Sequence, residues 1–267
     1  RMKYNDGEGK MVGEFFAFYD LVDPNGAFPL FGARHMMILA LMLLGLSWAL
    51  KWVSQLPEEK SWRVIQAAAI VEPILEMTHM VWLYQCGQTQ LVKLLPLHLC
   101  SMQCVFIPLA IFTKRRALWD YLYATAVLGG LCGVLFPAGV AGVYPLWHFQ
   151  TLQTVLLHSL LIFIPLALIA TGRHEPSLKG FLQALLIFMP VAAMAALVDV
   201  LYGENYMFIL YPPEGTPLVW IYQLFGHGGY LVLTFLLISL MSLSIHLPFW
   251  YRQRKAAAEK TQALASK

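Results

Sequence analysis

The sequence predicts an all-α, polytopic membrane protein with seven transmembrane helices. Three observations lead to this prediction: 59% of the 267 residues are hydrophobic, only 12% are charged, and the mean hydropathy is +0.62. Soluble domains carry about 25% charged residues, so half that fraction with this hydropathy is typical of a chain that folds in lipid. The net charge is only +3, and no basic stripe is present, which argues against nucleic-acid binding.

Seven apolar runs have at least the length, about 18 to 25 residues, that a helix needs to cross the hydrocarbon core. The last run is longer than this, which predicts that it tilts or protrudes. The first run starts at Met36, after a polar and aromatic segment, so we expect no signal peptide. The predicted spans are residues 35–53, 64–85, 91–112, 118–136, 148–170, 180–201 and 218–247.

Three regions follow from these spans. Residues 1–34 are predicted to lie at the extracytoplasmic interface, because the aromatic side chains and the Asp-Pro-Asn-Gly turn of 15–32 suit a membrane surface. Residues 35–250 form the seven-helix domain. Residues 251–267 form a basic cytoplasmic tail with a solvated, helical end.

Lysine and arginine alternate between successive loops, which predicts the orientation. The loops after spans 1, 3 and 5 and the tail are basic, whereas the other loops hold almost no lysine or arginine. The positive-inside rule then places the N-terminus outside and the tail in the cytoplasm. The basic residues are Lys51, Lys60, Arg63, Lys114, Arg115, Arg116, Arg173, Lys179, Arg252, Arg254, Lys255, Lys260 and Lys267.

Polar residues in the spans concentrate at one predicted depth. Ionisable groups inside a membrane cost several kcal/mol, so they usually mark a functional site. With a rise of about 1.5 Å per residue, Glu76, His98, Cys100, His158 and His227 all fall about 10–15 Å below the outer surface. The inner half is almost purely apolar, and its polar exceptions near the end of the last helix are Ser239, Ser242, Ser244 and His246. This pattern predicts a polar chamber that opens toward the outer leaflet.

Each member also has a simple structural interpretation. A buried cysteine is often a small packing residue, and His158 would be satisfied by a backbone carbonyl of another helix. If the chamber is functional, three classes of chemistry fit: acyl transfer by a Cys–His pair, lipid hydrolysis by Zn²⁺ on His98, His158 and His227, or solute binding in a transporter. Those three histidines lack local ligand spacing, and no inverted repeat of broken helices supports transport.

Three stretches resemble one known family: LPLHLCSMQ (95–103), HFQTLQTVLLHSLL (148–161) and YGENYMFILYPPEGTP (202–217). They are similar to the YwaF-type bacterial integral membrane proteins, which share a family with the animal transmembrane protein 164. The resemblance covers about residues 35–245. It implies a multi-pass enzyme of the bacterial plasma membrane that moves acyl chains between phospholipid and lyso-lipid substrates and needs no cofactor.

The resemblance also implies catalytic roles, with Cys100 as the nucleophile and His158 as its base. We expect Cys100 to attack the ester of an outer-leaflet phospholipid, and the acyl-thioester to pass its chain to a lipid hydroxyl or to water.

Supporting roles are hypotheses. Gln103, His98 or Asn205 would donate to the oxyanion, and Glu76 or His227 would orient the imidazole. Residues 202–217 would form a lid over the chamber, with Tyr202, Tyr206 and Thr154 as substrate-binding residues. The alternative for 202–217 is an ordinary interfacial loop anchored by its tyrosines.

Overall fold

The computed structural model describes residues 13–88 and 90–265, and all regular secondary structure in these residues is helical, which confirms the predicted all-α class. Short 3-10 turns occur at Tyr19–Leu21, Pro24–Gly26, Leu91–Leu94 and Tyr206–Phe208. The α-helices are α1 (Ala33–Gln55), α2 (Glu58–Gln85), α3 (Gln103–Thr113), α4 (Arg116–Leu135), α5 (Phe149–Ala170), α6 (Leu178–Tyr202) and α7 (Leu218–Ala265).

Six helices in the described residues are long and apolar enough to cross a membrane, namely all except α3. The prediction of one continuous helix over 91–112 is wrong. A 3-10 turn at Leu91–Leu94 is followed by irregular backbone, and α3 has only 11 residues, about 16 Å of helix against a hydrocarbon core of about 30 Å. Pro96 accounts for the break, because the residue before a proline avoids the helical region, and Leu95 is extended at φ −65°, ψ 134°.

The basic loops meet at one end of the helical bundle, which we call the basic end. Lys114, which follows α3, and Arg173, which follows α5, both lie over the ring of Trp62 near the start of α2, at 5.2 and 5.5 Å. Gln253 of α7 donates to the Pro176 carbonyl at 3.3 Å. The segment 91–113 therefore runs back to the basic end. Its passage through the membrane, like the orientation of the chain, stays a prediction.

The N-terminal segment covers the opposite end of the bundle. The indole of Trp82 donates to the Phe16 carbonyl at 2.9 Å, and His148 donates to the Ala17 carbonyl at 3.0 Å. Phe28 is buried in a cluster with Trp82 and Tyr144. Residues 1–12 and 266–267 of the predicted terminal regions lie outside the described residues. The tail prediction of a helical end agrees with α7, which continues to Ala265.

Helix α4 is the central helix of the fold. Every residue from Trp119 to Gly130 is buried, so other elements cover it on all sides. Gly129, Gly130 and Gly133 lie near its end, and small residues of this kind let neighbouring segments approach a transmembrane helix closely. The glycine-rich part of α4 is where the candidate site forms.

Candidate functional site

Cys100 lies where the irregular segment 95–102 meets α4. Its thiol points at the Gly129 carbonyl, with a sulfur-to-oxygen distance of 3.5 Å. A Cβ at Gly129 would stand 3.5 Å from the same sulfur, which is ordinary contact. The break at Pro96 thus has a consequence for chemistry, because it places Cys100 two residues before Met102, the N-cap of α3, rather than in the middle of a helix.

Two backbone N–H groups next to the thiol in sequence, those of Cys100 and Ser101, differ from their neighbours in having no acceptor among the described residues. Met102 N–H donates to the His98 carbonyl at 2.9 Å, and Gln103 N–H donates to the Cys100 carbonyl at 3.1 Å. In the described part of the chain, the N–H groups of Cys100 and Ser101 donate to no partner. Unpaired N–H groups beside a nucleophile are the usual receptors of an oxyanion. Side-chain patterns alone did not reveal this feature, and the only signal for it in the sequence is Pro96.

One ring nitrogen of His158, a residue of α5, faces α4. Its Nδ1 lies 2.7 Å from the Thr154 carbonyl, and because a carbonyl only accepts, Nδ1 carries the proton. The lone pair therefore lies on Nε2, which faces Gly133 so closely that a Cβ there would overlap it. Thr154, which was predicted to bind substrate, contacts His158 through its backbone carbonyl.

Gly129 and Gly133 are one turn apart on α4, so their Cβ positions are separated by about 5–6 Å. Cys100 and His158, which come from different segments, therefore pack on adjacent positions of one helix face. The thiol and the imidazole are not hydrogen-bonded to each other, since the thiol donates to Gly129 and Nδ1 donates to Thr154.

Two further predicted site residues, Gln103 and Glu76, contact the segment that carries Cys100. Gln103 uses both of its amide protons, on the Leu99 carbonyl and on Thr125 Oγ1, each at 3.2 Å. It therefore ties the segment 95–102 to α4 instead of presenting a free oxyanion donor. Glu76 of α2 is buried and faces the Ser101 side chain, so it lies beside the residue that follows Cys100 rather than beside the His158 ring.

His98 and His227 belong to a second group, around the turn that follows α6. His98 Nδ1 accepts the Met207 N–H at 3.3 Å, and its ring packs against Tyr206 and Phe208, with ring centroids 5.1 and 5.5 Å apart. His227 Nε2 donates to the Ile209 carbonyl at 3.0 Å. The orienting role predicted for His227 has no contact in support, because this ring reaches Ile209 and not His158.

The predicted lid residues Asn205 and Tyr206 are occupied in shaping the loop. The Asn205 side-chain oxygen accepts from Leu210 N–H at 2.9 Å, and its amide donates to the Tyr211 carbonyl at 2.9 Å. The Tyr206 hydroxyl donates to the Val92 carbonyl. Burial raises the pKa of Tyr206 to about 12, so the hydroxyl keeps its proton. Tyr202 is 64% exposed at the end of α6.

The alternative zinc ligands are not brought together. His98 binds Met207, His158 binds Thr154 and His227 binds Ile209. Within residues 13–88 and 90–265, no group of three His, Cys, Asp or Glu side chains is arranged to hold a metal ion. The predicted single chamber is therefore two groups: the thiol, the imidazole and Glu76 around α4, and two histidines at the loop.

A second polar cluster, which the sequence pattern did not predict, lies at the basic end. His174 Nε2 lies 3.2 Å from Asp120 Oδ1, and both side chains are buried. Asp120 fills the space left by Gly180, and His246 is buried nearby with its ring against Phe181. The expectation of an almost purely apolar half is thus wrong at this end. The available signal was Asp120 itself, a carboxylate inside the predicted fourth span.

One comparison relates the chain to known proteins. A family model described as the TMEM164 family matches residues 30–243, which contain every candidate site residue named above. No curated protein and no solved structure matches the chain.

Proposed function

Because the chain belongs to the TMEM164 family, we propose that it is a phospholipid acyltransferase of a cell membrane, with Cys100 as nucleophile and His158 as base. The observation that carries the proposal is the packing of the thiol and the imidazole at adjacent positions on α4, with the Nε2 lone pair turned toward that face. A Cys–His pair is a recurrent device for acyl transfer through a thioester.

The first half-reaction cleaves the donor. His158 Nε2 takes the thiol proton as the Cys100 sulfur bonds to the carbonyl carbon of a phospholipid ester, and negative charge moves to the carbonyl oxygen. We assign the unpaired N–H groups of Cys100 and Ser101 to this oxyanion. When the ester C–O bond breaks, His158 returns the proton to the lyso-lipid oxygen, leaving the acyl group on sulfur.

The second half-reaction reverses these steps with a new acceptor. A hydroxyl of a second lipid, or a water molecule, gives its proton to His158 Nε2 while its oxygen attacks the thioester carbonyl. The C–S bond then breaks and the thiolate recovers the proton. The hydrogen bond from Nδ1 to the Thr154 carbonyl keeps the ring in one tautomer throughout.

The experiment is an acyl-transfer assay on purified protein in vesicles. The donor is phosphatidylethanolamine with a deuterated acyl chain, the acceptor is a lyso-phospholipid, and lipid mass spectrometry measures the product. His158→Ala should lower the rate about 10²–10⁴-fold, the range expected for a lost general base. Cys100→Ala should remove both the product and the acyl adduct that intact-protein mass spectrometry detects on Cys100.

Cys104→Ala is the matched control, because Cys104 is a second cysteine four residues further along the same segment. It should keep near-normal transfer. Full turnover by Cys100→Ala would exclude the thioester, and absence of transfer by the wild-type protein from any phospholipid donor would overturn the proposed activity.

A further inference from the structure

A cavity of about 360 Å³ lies between α4, α6 and α7. This volume falls in the range of small-molecule pockets. Its walls are almost wholly apolar, and four of the α6 residues that line it are alanines. These alanines are Ala184, Ala192, Ala193 and Ala196.

One end of the cavity adjoins the candidate nucleophile. Leu99, the neighbour of Cys100, lines the cavity, and so does Leu128, the neighbour of Gly129. The loop residues Met207 and Phe208 close the same end. Tyr230 fixes this closure, because its hydroxyl donates to the Phe208 carbonyl at 2.6 Å.

We infer that this cavity holds one fatty acyl chain of the phospholipid donor. The ester of this chain lies at Cys100, and its methyl end points toward the basic end. The assignment rests on the proposed function and adds to it the site of the chain. If the acyl chain were bound elsewhere, the apolar cavity beside the nucleophile would have no role in the reaction.

The length of the cavity supports this occupant. Its lining on α7 extends from Tyr230 to Ser242, and on α6 from Phe181 to Ala196. At the helical rise these stretches measure about 18 and about 22 Å. One leaflet of the hydrocarbon core, which is the depth of one acyl chain, is about 15 Å. The cavity therefore accepts one chain along its length.

The far end of the cavity is closed by side chains of different character. Phe181 and Ser242 line it there, and the Phe181 ring packs against buried His246, with centroids 5.6 Å apart. The buried pair of Asp120 and His174 lies on the same side, against Gly180. An apolar chain gains nothing from entering this polar cluster, so Ser242 marks the limit on chain length.

The first experiment measures chain position without catalysis. The Cys100→Ala protein is placed in nanodiscs with phosphatidylethanolamine that carries a terminal diazirine on one acyl chain. After illumination, peptide mass spectrometry locates the adducts. We expect adducts on Phe181 and Ser242, which are buried at the far end of the cavity. Adducts confined to lipid-facing residues such as Leu240, which is 61% exposed, would overturn the inference.

The second experiment changes the length of the cavity. Ser242→Leu should lower adduct yield and transfer of an oleoyl chain by about tenfold, because the larger side chain fills the far end of the cavity, and should spare a decanoyl chain. Thr234→Phe, nearer the nucleophile, should exclude both chains. Leu240→Phe, on the lipid-facing side, should change neither, and all three variants are compared for monodisperse elution.

The two levels of the proposal fail separately. Adducts at the far end of the cavity without any acyl transfer by the wild-type protein would retain the lipid site and remove the acyltransferase. Acyl transfer with unchanged chain preference in both Ser242→Leu and Thr234→Phe would retain the enzyme and remove the cavity as the site of its chain.

Discussion

At the scale of single residues, the site depends on a glycine, Gly133, which has no side chain to fill the space beside it. Gly133 leaves the space that the His158 ring occupies, whereas a Cβ at Gly129 would be in ordinary contact with the Cys100 thiol. The sequence marked Cys100 and His158 as candidates through their predicted depth and the family resemblance. It could not indicate Gly133, because a glycine among apolar residues gives no sign of which ring packs on it.

Gly133→Ala should therefore impair acyl transfer while Cys100 and His158 are both intact. The new Cβ overlaps the His158 ring and displaces Nε2, and a displacement of about 1 Å costs about a hundredfold in rate. The measurement is the vesicle transfer assay. Gly45→Ala is the control, since a Cβ there meets nothing within 4 Å, and a Gly133→Ala protein with normal rates would contradict the assigned role of the imidazole.

Asp120→Ala should strongly destabilise the protein. Removing Asp120 leaves the buried His174 ring without its partner, and a buried polar group left unpaired typically costs about 1–3 kcal/mol. Thermal unfolding in detergent measures the loss. Glu59→Ala, which breaks the exposed Arg63–Glu59 pair, should cost no more than about 1 kcal/mol. Equal effects of the two substitutions would show that the buried pair adds no stability.

At the scale of elements, the informative segment is 91–113. Hydropathy predicted one helix there, because an irregular segment packed against other helices is as apolar as a lipid-facing span. Pro96 is the local signal for a break, but the path that the segment takes depends on tertiary contacts: the Gln103 side chain donates to Thr125, and the His98 ring accepts from Met207 N–H. Those partners lie more than 20 residues away and could not be predicted from local pattern.

The start of α5 gives a pH-dependent prediction. His148 accepts the Gln150 N–H at Nδ1 and donates to Ala17 from Nε2, and burial lowers the pKa of His148 below its usual value of 6.5. The folded state thus binds this proton less readily than the unfolded state, so the stability from His148 is present above about pH 6.5 and is lost as the pH falls.

The measurement is the unfolding temperature in detergent between about pH 8 and about pH 5. His148→Asn preserves a helix-capping side chain but does not titrate, so the variant should lose less stability than the wild-type protein on acidification. Identical slopes for the two proteins would assign the acid sensitivity to other groups.

At the scale of the whole molecule, the loops that are rich in lysine and arginine lie together at one end of the bundle. Lys114 and Arg173 converge on Trp62 although they are distant in sequence. The arrangement of loops was predictable because charge patterning is a global signal that survives local errors such as the broken third span. The order of the helices around α4 could not be predicted, because it depends on how the shapes of the side chains fit together.

The positive-inside rule predicts that the basic end faces the cytoplasm. A green fluorescent protein fused after Lys267 should fluoresce in bacterial cells, and alkaline phosphatase fused there should be inactive. Fusions within 203–217 should give the reverse pattern. An active phosphatase at the C-terminus would invert the orientation and place the candidate site toward the inner leaflet.

The loop after α6 is held by its main chain, and this makes it open to redesign. Asp199 binds the N–H of Tyr206, His98 binds the N–H of Met207, Tyr230 binds the carbonyl of Phe208 and His227 binds the carbonyl of Ile209. The side chains at 207, 208 and 209 meanwhile line the cavity. These bonds use main-chain atoms of the loop, so replacements other than proline at the three positions keep every donor and acceptor, and residues that tolerate a positive φ are favoured at Met207 (φ 52°) and Phe208 (φ 57°). Under the proposed function, replacement of these side chains would alter lipid preference without rebuilding the scaffold.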